Sequence, residues 1–139
     1  KQDRDTLARQ VASDRGCVFV HPYDDPWVMA GQGTIGLELL AQAPVSLDAV
    51  LICCGGGGLT AGITTALKAA QPDIEVFAVE PLGYDDTVRS LQAGQRLGIE
   101  KGATSICDAI STLAPGTLTF PILQHYGVMG LTVSDDDVR

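Results

Sequence analysis

Asp48-Ala-Val-Leu-Ile-Cys-Cys-Gly-Gly-Gly-Gly-Leu59 decides how this chain folds. Its first seven residues read as a buried strand, four glycines make a turn without side chains, and an amphipathic helix begins at Leu59. Over Ala49 to Cys54 there is no polar alternation, which predicts burial on both faces, as in a parallel sheet. After the turn, Leu59, Ile63, Leu67 and Ala70 fall on one helical stripe, and Pro72 closes the helix. Ile74-Glu-Val-Phe-Ala-Val79 follows as the next strand, so the three elements form one right-handed βαβ unit. The predicted fold is α/β and doubly wound: a mostly parallel sheet in three layers, with helices on both faces. A glycine turn at a helix N-terminus leaves N–H groups free to converge on an anion, and the helix dipole adds about half a positive charge there.

Outward from this unit the signals are weaker. Asp5 to Arg15 has helical spacing, with Gly16 where a left-handed cap would fall, and Cys17-Val-Phe-Val20 reads as a short buried strand. His21-Pro-Tyr-Asp-Asp-Pro26 is turn chemistry. Helical patterning resumes over Trp27 to Ala30 and Ile35 to Leu40, around Gly31-Gln-Gly33, and Pro44 ends it. Beyond Glu80 come a turn at Pro81-Leu-Gly83, a helix from Asp85 to Ala93, and a loop holding Gly94, Gly98 and Gly102. Ser105 to Ile110 is ambiguous, Phe120 to Tyr126 reads as a helix, and Val128 to Val133 as a strand. Ser134-Asp-Asp-Asp137 opens a helix with an N-cap and an acidic first turn. Its end at Arg139 suggests a piece of a longer protein.

The 139 residues suit one α/β domain. Their 16 glycines and few aromatic residues match aliphatic strands and tight turns. A formal charge of −8 disfavours nucleic acid and anionic membranes. No apolar run approaches the roughly 20 residues of a membrane span, and the N-terminus does not resemble a signal peptide. The four cysteines have no metal-site spacing and read as reduced, structural thiols. These features point to a soluble, cytoplasmic protein.

Two constellations carry chemistry. Gly56-Gly-Gly58-Leu-Thr-Ala61 satisfies the dinucleotide pattern GxGxxG/A, with Glu80 ending the next strand where an acid could meet a ribose hydroxyl. Four contiguous glycines suit one compact phosphate ester equally well, and a purely structural turn is the bland alternative. In Glu80-Pro-Leu-Gly-Tyr-Asp-Asp86, two carboxylates leave a strand end six residues apart across a turn, and hard cations take such oxygens, commonly joined by a backbone carbonyl and waters. Asp85 and Asp86 also make sense simply as negative charge opening a helix. His21 and His125 have no triad partners, and none of Lys1, Lys68 and Lys101 looks desolvated enough for covalent chemistry.

Several stretches, in order and with matching spacing, resemble one family. They are Val18-Phe-Val-His-Pro-Tyr-Asp-Asp-Pro26, Ala30-Gly-Gln-Gly-Thr34 with Leu37-Glu-Leu-Leu40, Gly55 to Leu59 with Ala61-Gly62, Val79-Glu-Pro81, and Thr132-Val-Ser-Asp-Asp136. Together they resemble the fold type II pyridoxal-phosphate enzymes of the threonine dehydratase and serine racemase group. The resemblance implies that Gly55, Gly56, Gly57, Gly58 and Leu59 offer amides to the phosphate of pyridoxal 5'-phosphate. It implies further that Glu80, the Tyr84 carbonyl and Asp86 bind Mg²⁺ or Ca²⁺. Asp108-Ala109 stands where the family usually has Asp-Gly beside the cofactor ring, and Cys53-Cys54 replaces a usual Pro and aliphatic residue.

The implied activity is that of an ammonia-lyase: a small hydroxy amino acid loses its α-proton and β-hydroxyl, giving a 2-oxo acid and ammonia. In relatives, the lysine that bonds the cofactor aldehyde and the loop that grips the substrate carboxylate belong to an N-terminal half with no counterpart here. No catalytic residue is therefore expected in this chain. It would act with that missing half or another subunit, in a homo-oligomer. A racemase of the same family, a non-catalytic cofactor-binding module and a nicotinamide-dinucleotide domain are the competing readings.

Overall fold

The computed structural model describes residues 4–100 and 104–139. Lys1, Lys101 and Gly102, named above, lie outside the described residues. The predicted βαβ unit is present: β1 (Ala49–Cys53), α3 (Gly58–Ala70) and β2 (Glu75–Pro81). Before it come α1 (Arg4–Arg15) and α2 (Pro26–Gln42); after it come α4 (Asp86–Ala93), α5 (Thr119–His125), β3 (Met129–Val133) and α6 (Asp135–Val138). The strands pair in the order β1-β2-β3, all parallel, with Ile52 opposite Ala78 and Ala78 opposite Gly130.

Ile52, Val76 and Ala78 on one face of the sheet pack with Ile63 and Leu67 of α3 and Leu123 of α5 in the main apolar cluster. On α4, Val88 closes on the same face, where a side chain at Gly130 would lie 2.8 Å from its Cγ2. Along the opposite face, Leu51, Cys53, Met129 and Leu131 are exposed, Leu51 by 62%. The expected burial of Ala49 to Cys54 on both faces is thus met on one. The uniform apolar pattern describes what the strand can be packed against, and the described helices cover the Ile52 side.

Two further expectations are corrected. Cys17 to Val20 forms no strand, and Val18 is 88% exposed. A strand exists only through ladder bonds to a neighbour, and no strand of the described sheet pairs with this segment. It lies instead against α1, with the Arg9 guanidinium 4.4 Å from the Phe19 ring centroid. Expected burial of the cysteines holds for Cys54 alone, since Cys17 and Cys53 are exposed and Cys107 is partly so.

The helical patterning around Gly31-Gln-Gly33 resolves into one unbroken helix, α2, capped by the Asp25 carboxylate, which accepts from the Trp27 and Val28 amides. Gly33 and Gly36 of this helix have a packing reason. A Cβ on Gly36 would approach the Ile63 carbonyl oxygen to 3.0 Å, and one on Gly62 would fall 2.2 Å from the Met29 carbonyl oxygen. Backbone meets backbone where α2 crosses α3, and this contact sets the angle at which α3 presents its N-terminus. Gly62→Ala is therefore expected to lower stability by about 3 kcal/mol or more, because neither helix can yield. Gly31→Ala, with nothing within 4 Å of its added methyl, should be neutral or stabilise by about 0.5–1 kcal/mol; paired thermal melts check both.

Candidate functional site

The glycine loop leaves the carboxyl end of β1 beside the end of β2, where the Cys54 amide donates to the Val79 carbonyl at 2.9 Å. Gly57 is left-handed, with φ +92°, and no side chain caps α3. The first-turn amides of a helix have no intrahelical partner, so they face outward uncapped. The Gly56 carbonyl turns inward, accepting from the Gly116 amide at 3.0 Å and from Thr119 Oγ1 at 2.7 Å. In a planar trans peptide N–H and C=O point in opposite directions. The Gly57 N–H is thereby aimed away from the core, toward the space an anion would fill. An uncapped 13-residue helix behind such amides fits a phosphate group.

Side chains are excluded from this loop. A Cβ on Gly56 would overlap the Tyr23 ring at 2.2 Å, and one on Gly58 would fall 2.7 Å from the Tyr23 Cα. At Gly55 it would come 3.2 Å from the Ile110 Cα. The segment that holds Asp108 and Ala109 forms one 3-10 turn, Asp108–Ile110, and it lies against the glycine loop. Tyr23, Gly116 and Thr119 were not singled out from the sequence as site residues. His-Pro-Tyr-Asp-Asp-Pro was legible as a turn and as part of the family resemblance but with no role at the loop, and its partners at Thr117 to Thr119 lie far along the chain.

The second constellation stands at the end of the neighbouring strand. Glu80 and Asp86 are both fully buried. Glu80 accepts from the Thr87 and Val88 amides at 3.2 and 2.9 Å, at the first turn of α4, and Asp86 meets Thr112 Oγ1 at 3.5 Å. Neither carboxylate belongs to the ion pairs of the described residues, which are Arg9–Asp5, His21–Asp5, Arg89–Asp85 and Arg139–Asp136. Burial pushes the Glu80 carboxyl up to about 7, with Asp86 adding to it; burial likewise pushes Asp86 up to about 7, with Asp85 adding. Tyr84 is buried on the turn between them, held by its amide's bond to the Pro81 carbonyl at 2.9 Å. Among the described residues no three His, Cys, Asp or Glu side chains converge as a metal cage. Two buried carboxylates, with the Tyr84 carbonyl on the turn between them, are donors of the type that a hard cation completed by water takes.

The two constellations adjoin at Cys54, whose thiol lies 3.4 Å from the Gly55 carbonyl and 3.7 Å from Thr87 Oγ1. Burial pushes that thiol up to about 12, with Glu80 next in effect, so it stays protonated and acts as a small packing group. His21 faces α1 and its own turn, and His125 stacks edge-on against Tyr126. Lys68 Nζ donates to the Pro72 carbonyl at 3.0 Å, away from both constellations.

A parallel α/β sheet thus carries at its carboxyl edge an uncapped glycine loop that could take an anion and, beside it, a buried acidic pair that could take a cation. The chain belongs to the pyridoxal-phosphate dependent enzyme family, whose model matches residues 1–139. It is 39% identical over 137 residues to serine racemase of Dictyostelium discoideum, covering 98% of this chain and 42% of that one. L-threonine ammonia-lyase of Geobacter sulfurreducens is 44% identical over 131 residues, 94% of this chain and 32% of its own. The crystal structure of the threonine deaminase from T.th. superposes with a TM-score of 0.91 at 47% identity, over 97% of this chain and 45% of that one. Both share one α/β three-layer fold. The chain thus spans less than half the length of these relatives. No helix among the described residues is long and apolar enough to cross a membrane.

The buried acids make stability depend on pH. Each has its folded-state value raised above the ordinary 4.5 or 3.8, so the folded protein holds protons that the unfolded chain releases. Stability contributed below the ordinary value is lost as pH rises toward 7, at up to about 1.4 kcal/mol per pH unit per group. In chelator, the melting temperature should fall between about pH 5 and pH 7.5. A flat profile over that range would contradict the burial of these carboxylates.

Proposed function

We propose that this chain is the phosphate- and cation-holding segment of a pyridoxal-phosphate dependent ammonia-lyase acting on small hydroxy amino acids such as serine or threonine. The observation that carries the reading is the Gly55–Gly58 loop, with its inward Gly56 carbonyl and uncapped α3 N-terminus. On this reading the amides of Gly55, Gly56, Gly57, Gly58 and Leu59 hold the phosphate. Glu80, the Tyr84 carbonyl and Asp86 hold Mg²⁺ or Ca²⁺, which would supply the positive charge that two buried carboxylates otherwise lack.

Pyridoxal phosphate, when bound, supplies the electron sink that makes an α-proton of an amino acid removable. This chain's residues contribute position. The loop fixes one end of the cofactor against the rigid α2–α3 pair, and the Asp108–Ile110 turn bounds the space beside it. Cation binding would fix the turn from Glu80 to Asp86 and, through the Thr87 and Val88 amides, the start of α4. Proton transfer and the lysine that bonds the cofactor aldehyde are assigned to a part of the protein outside these 139 residues. The exposed apolar face at Leu51, Met129 and Leu131 supports a longer polypeptide or partner over it. Four free cysteines agree with a reducing, cytoplasmic setting.

A racemase is the second reading, favoured by the 39% identity to a serine racemase. Both reactions begin with loss of the α-proton and diverge at the β-hydroxyl. Incubation of the intact protein with L-serine or L-threonine should yield 2-oxo acid and ammonia in equal amounts. Formation of D-serine without ammonia would replace the lyase by the racemase. Binding of NAD with no affinity for pyridoxal phosphate would remove both readings.

For the cation, Glu80→Ala should lower the melting temperature relative to wild type in Mg²⁺ or Ca²⁺, but much less in chelator. The same shift in both conditions would eliminate the site.

A further inference from the structure

The turn before α2 carries two adjacent carboxylates with different work. Asp25 caps its own helix. Asp24 reaches across the fold to the turn that opens α5. Its Oδ2 accepts from the Thr117 amide at 2.9 Å and the Thr117 hydroxyl at 2.6 Å, while its Oδ1 accepts from the amides of Leu118 at 2.7 Å and Thr119 at 3.3 Å. Four donors on one carboxylate, all from a segment far along the chain, tie two distant stretches together. Gly116 is required for the approach, because a Cβ there would lie 2.3 Å from Asp24 Oδ1.

The turn so gripped is the one that orients the phosphate loop. The Gly116 amide and Thr119 Oγ1 are the two donors to the Gly56 carbonyl. On the Asp24 side, Tyr23 packs its ring against Gly56 and its backbone against Gly58. His21 Nδ1 shapes this arm by accepting from the Asp24 amide at 2.9 Å. Both walls of the glycine loop are therefore joined through one carboxylate.

We infer that Asp24 is the positioning residue of the phosphate cradle, holding the 116–119 turn so that Thr119 and Gly116 keep the Gly56 carbonyl inward and the Gly57 amide directed at the anion. The inference rests on the function proposed above and adds the group that pre-organises the loop. Without Asp24 the turn amides at 117–119 lose their acceptor and turn to solvent. The Gly56–Gly57 peptide is then free to rotate, and the anion must order it on binding. The loss falls on the phosphate end of the ligand alone.

The test compares pyridoxal phosphate with pyridoxal, which lacks the phosphate, by equilibrium dialysis against the intact protein. Wild type should prefer the phosphorylated ligand. Asp24→Ala and Thr119→Val should each lose about tenfold of that preference, the scale of one hydrogen bond to a charged group, with pyridoxal affinity little changed. A merely structural Asp24 would weaken both ligands alike; an unchanged ratio in Asp24→Ala overturns the inference and leaves the proposed function standing. Equal wild-type affinity for the two ligands removes the phosphate-loop reading and this inference with it. If Asp24→Ala does not fold, Thr119→Val decides, since it removes only the last link to Gly56; an unchanged ratio there is equally fatal.

Discussion

The orientation of the peptide between Gly56 and Gly57 is the constraint on which the site depends. Its carbonyl is drawn inward by Thr119 and Gly116, so its N–H faces outward. To hold that peptide, α5 and the Tyr23 arm approach the loop so closely that side chains at 56, 57 and 58 would overlap Tyr23 or Thr119. The glycine run is therefore a requirement of packing in its own right.

Behind the loop stands a rigid support. Because α2 and α3 meet backbone to backbone at Gly36 and Gly62, α3 cannot tilt without moving the whole pair. Its N-terminus is held at the carboxyl edge of β1, where parallel sheets collect their ligands. The acidic pair one strand over sits under the opposite electrostatic condition. Glu80 and Asp86 are buried among amide and hydroxyl donors with no cationic side chain paired to them among the described residues, and that burial raises their affinity for protons. A divalent cation would relieve it, giving one edge of the sheet an anion site and a cation site side by side.

Membership of the pyridoxal-phosphate dependent enzyme family agrees with a loop shaped to take an anion. It does not separate the activities of the relatives, since a serine racemase and a threonine ammonia-lyase match this chain comparably well. On the function proposed above, the glycine loop would serve the cofactor anchorage that both activities share.

The βαβ unit, the glycine loop and the acidic pair were legible in the sequence because each is local: a strand, a turn and a helix within a few dozen residues, marked by apolar period and glycine. So was the Ser134 cap, realised as a capping box with Asp137. Tertiary structure alone decided which way the Gly56 carbonyl turns, that Asp24 rather than Asp25 reaches the α5 turn, and that Cys17 to Val20 pairs with no strand of the described sheet. It also made one helix of the interrupted pattern around Gly31 and Gly33, through contact with Gly62. These outcomes depend on partners distant along the chain, and local periodicity carries no information about which distant group supplies a hydrogen bond or fills a gap.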